Sequence, residues 1–186
     1  GCPQVVIVGR PNVGKRSLLN WLAGVRVAIV DDQPGVTRDR VTYLMNHEDR
    51  FFELVDTGGM GFQDMDDLTS HIEQQIDLAI DSADLILLVV DTRDGMLPLD
   101  QEVARRLRQV QTPIMLVANK ADDESFDTQA DEFYRLGRGK PIRVSTLQNR
   151  NRAVLLNLIV EELPPQQDDV AAETDDPEMK VAIVGR

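Results

Sequence analysis

Two glycines and a lysine at a fixed spacing, Gly9-Arg10-Pro11-Asn12-Val13-Gly14-Lys15, form the part of this chain best suited to chemistry. Gly9 and Gly14 let a loop backbone curl until its N–H groups converge on one anion, and Lys15 supplies a cation to the same place. The β-branched run 5–8 ahead of the loop reads as a buried strand, and residues 14–23 read as a helix whose N-terminal dipole points at that anion. Gly9, Asn12, Val13, Gly14, Lys15, Arg16 and Ser17 are therefore candidate phosphate-binding residues. One position breaks the usual G-x-x-x-x-G-K-[ST] pattern: the residue whose hydroxyl would ligate magnesium is Arg16. A guanidinium has no lone pair for a metal, so weak nucleotide binding with little dependence on Mg2+ is expected.

The loop pattern alone is a weak signal, and two further stretches give it context. Asp56-Thr57-Gly58-Gly59 fits D-x-x-G, in which Asp56 holds magnesium through water and the Gly59 N–H meets a γ-phosphate. Asn119-Lys120-Ala121-Asp122 fits N-K-x-D. The Asp122 carboxylate can accept from guanine's ring N1–H and exocyclic N2 amino group together. Adenine offers neither donor there, so adenine nucleotides are rejected by about 10⁴-fold. Asn119 can brace the phosphate loop, and the Lys120 stem can cover the base.

These stretches need elements to position them. Runs 41–45 and 51–55, joined by a turn at 46–49, read as an antiparallel hairpin, with His47 a solvated turn residue. A helix is expected over 68–82, with Ile72, Ile76 and Ala79/Ile80 inward and His71 outward. Residues 85–90 read as a central, doubly buried strand. An amphipathic helix follows at 99–110, with Val103, Leu107 and Val110 inward and Arg105, Arg106 and Arg108 on a solvated face. Then come a strand at 113–118, a helix at 128–136, a strand at 141–144, the loop Ser145-Thr146-Leu147 and a closing helix at 152–162. Leu18, Trp21 and Leu22 are core candidates of the first helix, and the turn-rich stretch 25–40 is expected to be mobile. The alternation gives an α/β fold: a doubly wound, mostly parallel sheet with one antiparallel hairpin strand, helices on both faces and ligands at the strands' C-terminal edge.

The 186 residues, 42% of them hydrophobic, suffice for one well-buried domain, expected over 1–163. Residues 164–178 are acidic, nearly devoid of large apolar side chains, and read as a flexible linker. Lys180-Val181-Ala182-Ile183-Val184-Gly185-Arg186 then repeats the run 4–10 almost residue for residue, so 179–186 is expected to open a second, truncated domain of the same kind. A net charge of -12 and a pI near 4.5 disfavour direct nucleic-acid binding by this piece. The single cysteine, Cys2, excludes a disulfide framework and points to a reducing compartment, expected to be the cytoplasm. No apolar run approaches the roughly eighteen residues of a membrane span.

In this order, the motifs at 9–15, 34–40 (Pro-Gly-Val-Thr-Arg-Asp-Arg), 56–59 and 119–122 resemble those of the Der (EngA) family of tandem-domain bacterial GTPases, over 4–163 with a restart at Lys180. The resemblance implies a P-loop GTPase fold, GTP and GDP as ligands with Mg2+, and a cytoplasmic role in large ribosomal subunit biogenesis through parts absent from this piece. It makes Thr37 the switch threonine that closes over magnesium and γ-phosphate, and puts Ser145 and Thr146 in the guanine-side loop, where Thr146 departs from the usual alanine. Met60 stands where a water-orienting glutamine is found in related enzymes, and a thioether cannot orient water. Asn12 lies where similar GTPases hold a monovalent cation, so any turnover is expected to need K+. Lys15, Thr37, Gly59 and Asn12 are thus the catalytic candidates, with Thr37 and Asp56 toward magnesium. The alternatives are a guanine-nucleotide-binding regulatory module with little hydrolysis, favoured by Arg16, and an interaction domain that kept only the fold.

Overall fold

The structure, a computed structural model, describes residues 1–24, 28–30, 41–57 and 68–165. Among the described residues seven strands form one sheet in the order β2-β3-β4-β1-β5-β6-β7. They are β1 (Gln4–Val8), β2 (Ala28–Val30), β3 (Val41–His47), β4 (Arg50–Asp56), β5 (Leu85–Asp91), β6 (Ile114–Asn119) and β7 (Ile142–Arg143). β1 pairs in parallel with β4 and β5, β5 with β6, and β6 with β7. β3 is antiparallel to both its neighbours, so it alone runs against the rest.

Strand alternation sends one set of side chains to each face. Val5, Ile7, Leu85, Leu87 and Val89 join Leu18, Leu22, Leu155 and Ile159, which belong to α1 (Lys15–Ala23) and α5 (Arg152–Glu162). Val6, Val8, Ile86, Leu88 and Val90 pack on the other side with Ile72, Ile76, Val103 and Leu107 from α2 (Leu68–Ser82) and α3 (Pro98–Leu107), and with Phe133. Every residue of β5 is buried. Each such side chain contributes roughly 1.5–3 kcal/mol, which makes the centre of the sheet the stiffest support available for loops at its edge. No described helix is long and apolar enough to cross a membrane.

The fold class stands as expected, and α2 and α5 begin and end where the periodicity puts them. Several details differ. The short edge strand β2 was not anticipated, since three residues carry no readable alternation. The helix expected at 128–136 is broken into a 3₁₀ turn (Glu124–Phe126), α4 (Asp127–Asp131) and a second 3₁₀ segment (Glu132–Leu136). The Asp123 carboxylate starts the first turn by accepting from the Ser125 N–H at 2.7 Å, the local bonding by which aspartate competes with regular helix.

α3 is shorter than expected and ends before Val110, which still packs against the core. His71 is buried rather than outward, because the inward stripe of α2 takes in His71 and Gln75 beside Ile72, Ile76 and Ala79, while Ile80 is exposed. His47 ends β3, with Nε2 2.7 Å from the Asn157 Oδ1 of α5, and only Glu48 and Asp49 form the turn. Arg106 is half-buried and bridges α3 to α2 through Glu73 at 2.8 Å. Trp21 is half-buried, and its indole N–H donates to Asn149. The stretches 25–27 and 31–40, the linker from 166 and the repeat at 179–186 lie outside the described residues, as do Thr37, Gly59 and Met60.

Candidate functional site

The loop 9–15 leaves the C-terminal end of β1, and two close approaches shape it. A Cβ on Gly9 would lie 2.7 Å from the Val89 carbonyl of β5, and one on Gly14, whose φ is +94°, would lie 2.5 Å from Asn119 Nδ2. Only glycine fits either place without displacing a neighbour. Asn12, at the exposed crest, has φ of 69°, which asparagine tolerates. Val13 is buried beneath the loop and Ser17 is exposed on the first turn of α1. Gln75 of α2 accepts from the Gly9 N–H at 3.1 Å.

Lys15 folds back into this loop. Its ammonium donates to the carbonyls of Gly9 at 2.9 Å and Arg10 at 2.8 Å. Burial pushes the Lys15 pKa down to about 8, a shift that the Asp56 carboxylate opposes and the Arg10 charge assists. Arg10 is buried too, and it forms ion pairs with Asp94 at 2.9 Å and Asp100 at 3.2 Å. Burial raises the Asp100 carboxyl above its ordinary range, while the Arg10 hydrogen bond lowers that of Asp94.

Arg16 does not point away. Its Nε donates to Asp56 Oδ2 at 2.6 Å; the Asp56 side chain is 1% exposed and that of Arg16 is 48% exposed. The position that ordinarily carries a metal-ligating hydroxyl thus carries a cation already bonded to the motif's carboxylate. A divalent ion reaching Asp56 Oδ2 would compete with this guanidinium. Thr57, next in the chain, donates its hydroxyl to the Ile7 carbonyl at 2.8 Å, fixing the end of β4 against β1.

The third motif reaches the same edge from β6. The Asn119 amide donates to the Val13 carbonyl at 3.1 Å, tying the 119–122 loop to the phosphate loop. Lys120, with φ of 64°, places its ammonium 2.7 Å from Asp91 Oδ2 and 3.4 Å from the Asn12 carbonyl. Asp122 Oδ1 accepts from the Ser145 hydroxyl at 2.7 Å, and Oδ2 accepts from Arg93 Nε at 2.9 Å and from Arg93 Nη2. The Ser145 hydroxyl, then Arg93 and Lys120, hold the Asp122 carboxyl below its usual range against the effect of burial. Ser145 also accepts from the Gln148 N–H at 2.9 Å and pairs with Arg150 through its backbone, while Thr146 is half-buried beside it.

Of the sequence candidates, Gly9, Asn12, Val13, Gly14, Lys15, Arg16, Ser17, Asp56, Asn119, Lys120, Asp122, Ser145 and Thr146 are on one edge of the sheet or in the loops that follow it. Thr37 and Gly59 are outside the described residues. Sequence reasoning overlooked the turn after β5. There Asp91 holds Lys120, Arg93 holds Asp122, Asp94 holds Arg10, and the Asp91 Oδ1 caps the N–H groups of Arg93 and Asp94 at 2.8 and 3.1 Å. Its signal was present: an Asp-Thr-Arg-Asp-Gly run at the C-terminal end of a fully apolar strand. Together these bonds bring the ammonium groups of Lys15 and Lys120, the Arg16 guanidinium and the carboxylates of Asp56 and Asp122 to one edge of the sheet.

A family model described as 50S ribosome-binding GTPase matches residues 4–120. GTPase Der of Rhodopirellula baltica is 61% identical over 184 residues, 99% of this chain and 40% of that protein. GTPase Der of Pelotomaculum thermopropionicum is 46% identical over 186 residues, 99% of this chain and 41% of that protein. The chain therefore spans about two fifths of the length of the curated relatives it matches. Among solved structures, an Era variant from Aquifex aeolicus bound to GDP.AlF4- superposes with a TM-score of 0.70 at 29% identity, covering 88% of this chain and 57% of that one. Era in complex with MgGDPNP and part of 16S ribosomal RNA gives 0.71 at 28% identity, covering 89% and 58%.

Proposed function

We propose, for a chain that belongs to the 50S ribosome-binding GTPase family and to its Der GTPases, that this edge binds GTP and GDP as the nucleotide switch of a longer protein. The observation that carries the reading is the Asn119–Val13 bond, which ties the 119–122 loop to the 9–15 loop and so supports a single nucleotide site made by both. Lys15 leaves the Gly9 and Arg10 carbonyls for the phosphates, the loop N–H groups take phosphate oxygens, and Asp122 takes the N1–H and N2 edge of guanine. Hydrolysis to GDP and phosphate, with Thr37 and Gly59 as switch residues, is part of the same proposal. So is action on the large ribosomal subunit through the rest of the protein, in the cytoplasm. Era's solved complexes with GDP.AlF4- and MgGDPNP support the ligand class. Titrating the protein with GDP and ADP tests the reading: GDP binds and ADP does not, whereas equal affinity would contradict it.

The Arg16–Asp56 pair favours a second reading of how the switch works. With that carboxylate neutralised from within, nucleotide binds with little dependence on Mg2+, and GTP turns over slowly. Such turnover as there is needs K+ at Asn12, whose exposed side chain leaves the loop crest open to a monovalent cation that would neutralise charge developing between the β- and γ-phosphates. Single-turnover assays should show hydrolysis falling when K+ is replaced by Na+ or Asn12 by Ala. The same rate in both salts would remove K+ from the account.

Lys15 gives a pH dependence. Its pKa of about 8 in the free protein rises again once phosphates face the ammonium, so binding takes up protons and weakens as pH rises. GDP affinity should drop about fourfold between about pH 7 and 8.5, a range in which guanine N1 keeps its proton. A flat profile would mean that Lys15 is not the group meeting the phosphates.

A further inference from the structure

The base-selecting carboxylate is already engaged by a group that looks like the base. Guanine's N1–H and N2 amino group are two donors on one carbon, the array that a guanidinium also presents. Arg93 turns that array onto Asp122, with Nε at 2.9 Å from Oδ2 and Nη2 on the same oxygen, while Ser145 holds Oδ1. Its guanidinium carbon lies 4.7 Å from the centroid of the Phe126 ring, which backs it as a stacking surface. The root of the side chain is fixed by the Asp91 carboxylate, which accepts from the Arg93 N–H at 2.8 Å.

We infer that Arg93 is a built-in stand-in for guanine, which occupies Asp122 in the nucleotide-free protein and must be displaced by the incoming base. This rests on the guanine-nucleotide reading and adds a specificity element to it. A ligand without the N1–H/N2 donor pair has nothing with which to replace the guanidinium, so it leaves Arg93 in place. The pair is open from the arginine side: the Arg93 side chain is 53% exposed against 9% for Asp122, so the guanidinium can swing into solvent, and an exposed partner leaves the pair weak and screened by salt. Self-occupation lowers the apparent affinity for every guanine ligand by the fraction of molecules in which Asp122 is free. For a pair of this exposure that factor is about two- to fivefold.

The test is calorimetric titration of the nucleotide-free chain with GDP and, separately, with inorganic pyrophosphate, which fills the phosphate loop without reaching Asp122. Arg93→Ala and Arg93→Gln should both tighten GDP by about two- to fivefold, mainly through faster association, and the gain should be absent with pyrophosphate. Raising KCl should narrow the GDP difference between parent and variants. GDP affinity that is unchanged or weaker in both variants, with the parent binding GDP normally, would overturn the role of Arg93 and leave the guanine reading intact. Pyrophosphate binding without any GDP preference in parent and variants alike would overturn both.

Discussion

Asp122→Asn should lower GDP affinity by about 10³- to 10⁴-fold and open the site to xanthosine diphosphate. In the parent the carboxylate accepts only, with Ser145 steadying one oxygen at 2.7 Å. An amide keeps the shape and one oxygen, but it turns an NH2 toward guanine's own amino group, so two donors meet and neither is satisfied. Xanthine carries a carbonyl at that carbon and can accept from the amide. Competition of GDP and xanthosine diphosphate against a fluorescent guanine nucleotide reads the switch. A variant that still prefers GDP would show that Asp122 is not the base-reading group.

Arg16→Ser should have the next largest effect, and only when magnesium is present. The substitution removes the 2.6 Å ion pair to Asp56 and supplies the hydroxyl that the loop pattern ordinarily places there. GTP binding should then become Mg2+-dependent, tightening by at least about tenfold on metal addition, because even groups behind a metal ligand typically carry that much. Hydrolysis should rise with it. Arg16→Ala separates the two causes: it breaks the pair without restoring a ligand, so it should gain little from magnesium. If the parent already shows strong Mg2+-dependent binding and Arg16→Ser alters nothing, the guanidinium does not take the metal's place.

The parts of this site legible in the sequence are those whose geometry is local. Gly9 and Gly14 announce a loop by their spacing to Lys15, whereas the close approaches to Val89 and Asn119 that leave room only for glycine come from distant strands. Asn119 and Asp122 announce themselves because the first ends a buried strand and the second stands in the turn directly after it. α2 was readable at both ends from Ile72, Ile76 and Ala79, yet the same stripe hid that His71 and Gln75 share its inward edge, since periodicity counts apolar residues only. Arg93 was illegible for a different reason. Its partner is 29 residues away on another strand's loop, and nothing in an Asp-Thr-Arg-Asp-Gly turn says which carboxylate the arginine will meet. Arg10 likewise finds Asp100 across 90 residues. The replacement at Arg16 was visible, but its contact with Asp56 needed the sheet register that sets the end of β4 beside β1.

The most direct test of the whole account is one titration series: GDP and ADP against the nucleotide-free parent chain, in excess Mg2+ and in excess EDTA. The account predicts GDP binding with no measurable ADP binding, and a GDP affinity that changes by less than about threefold between the two conditions. Equal binding of ADP would contradict the guanine site, and loss of GDP binding in EDTA would contradict the Arg16–Asp56 pair as the stand-in for metal.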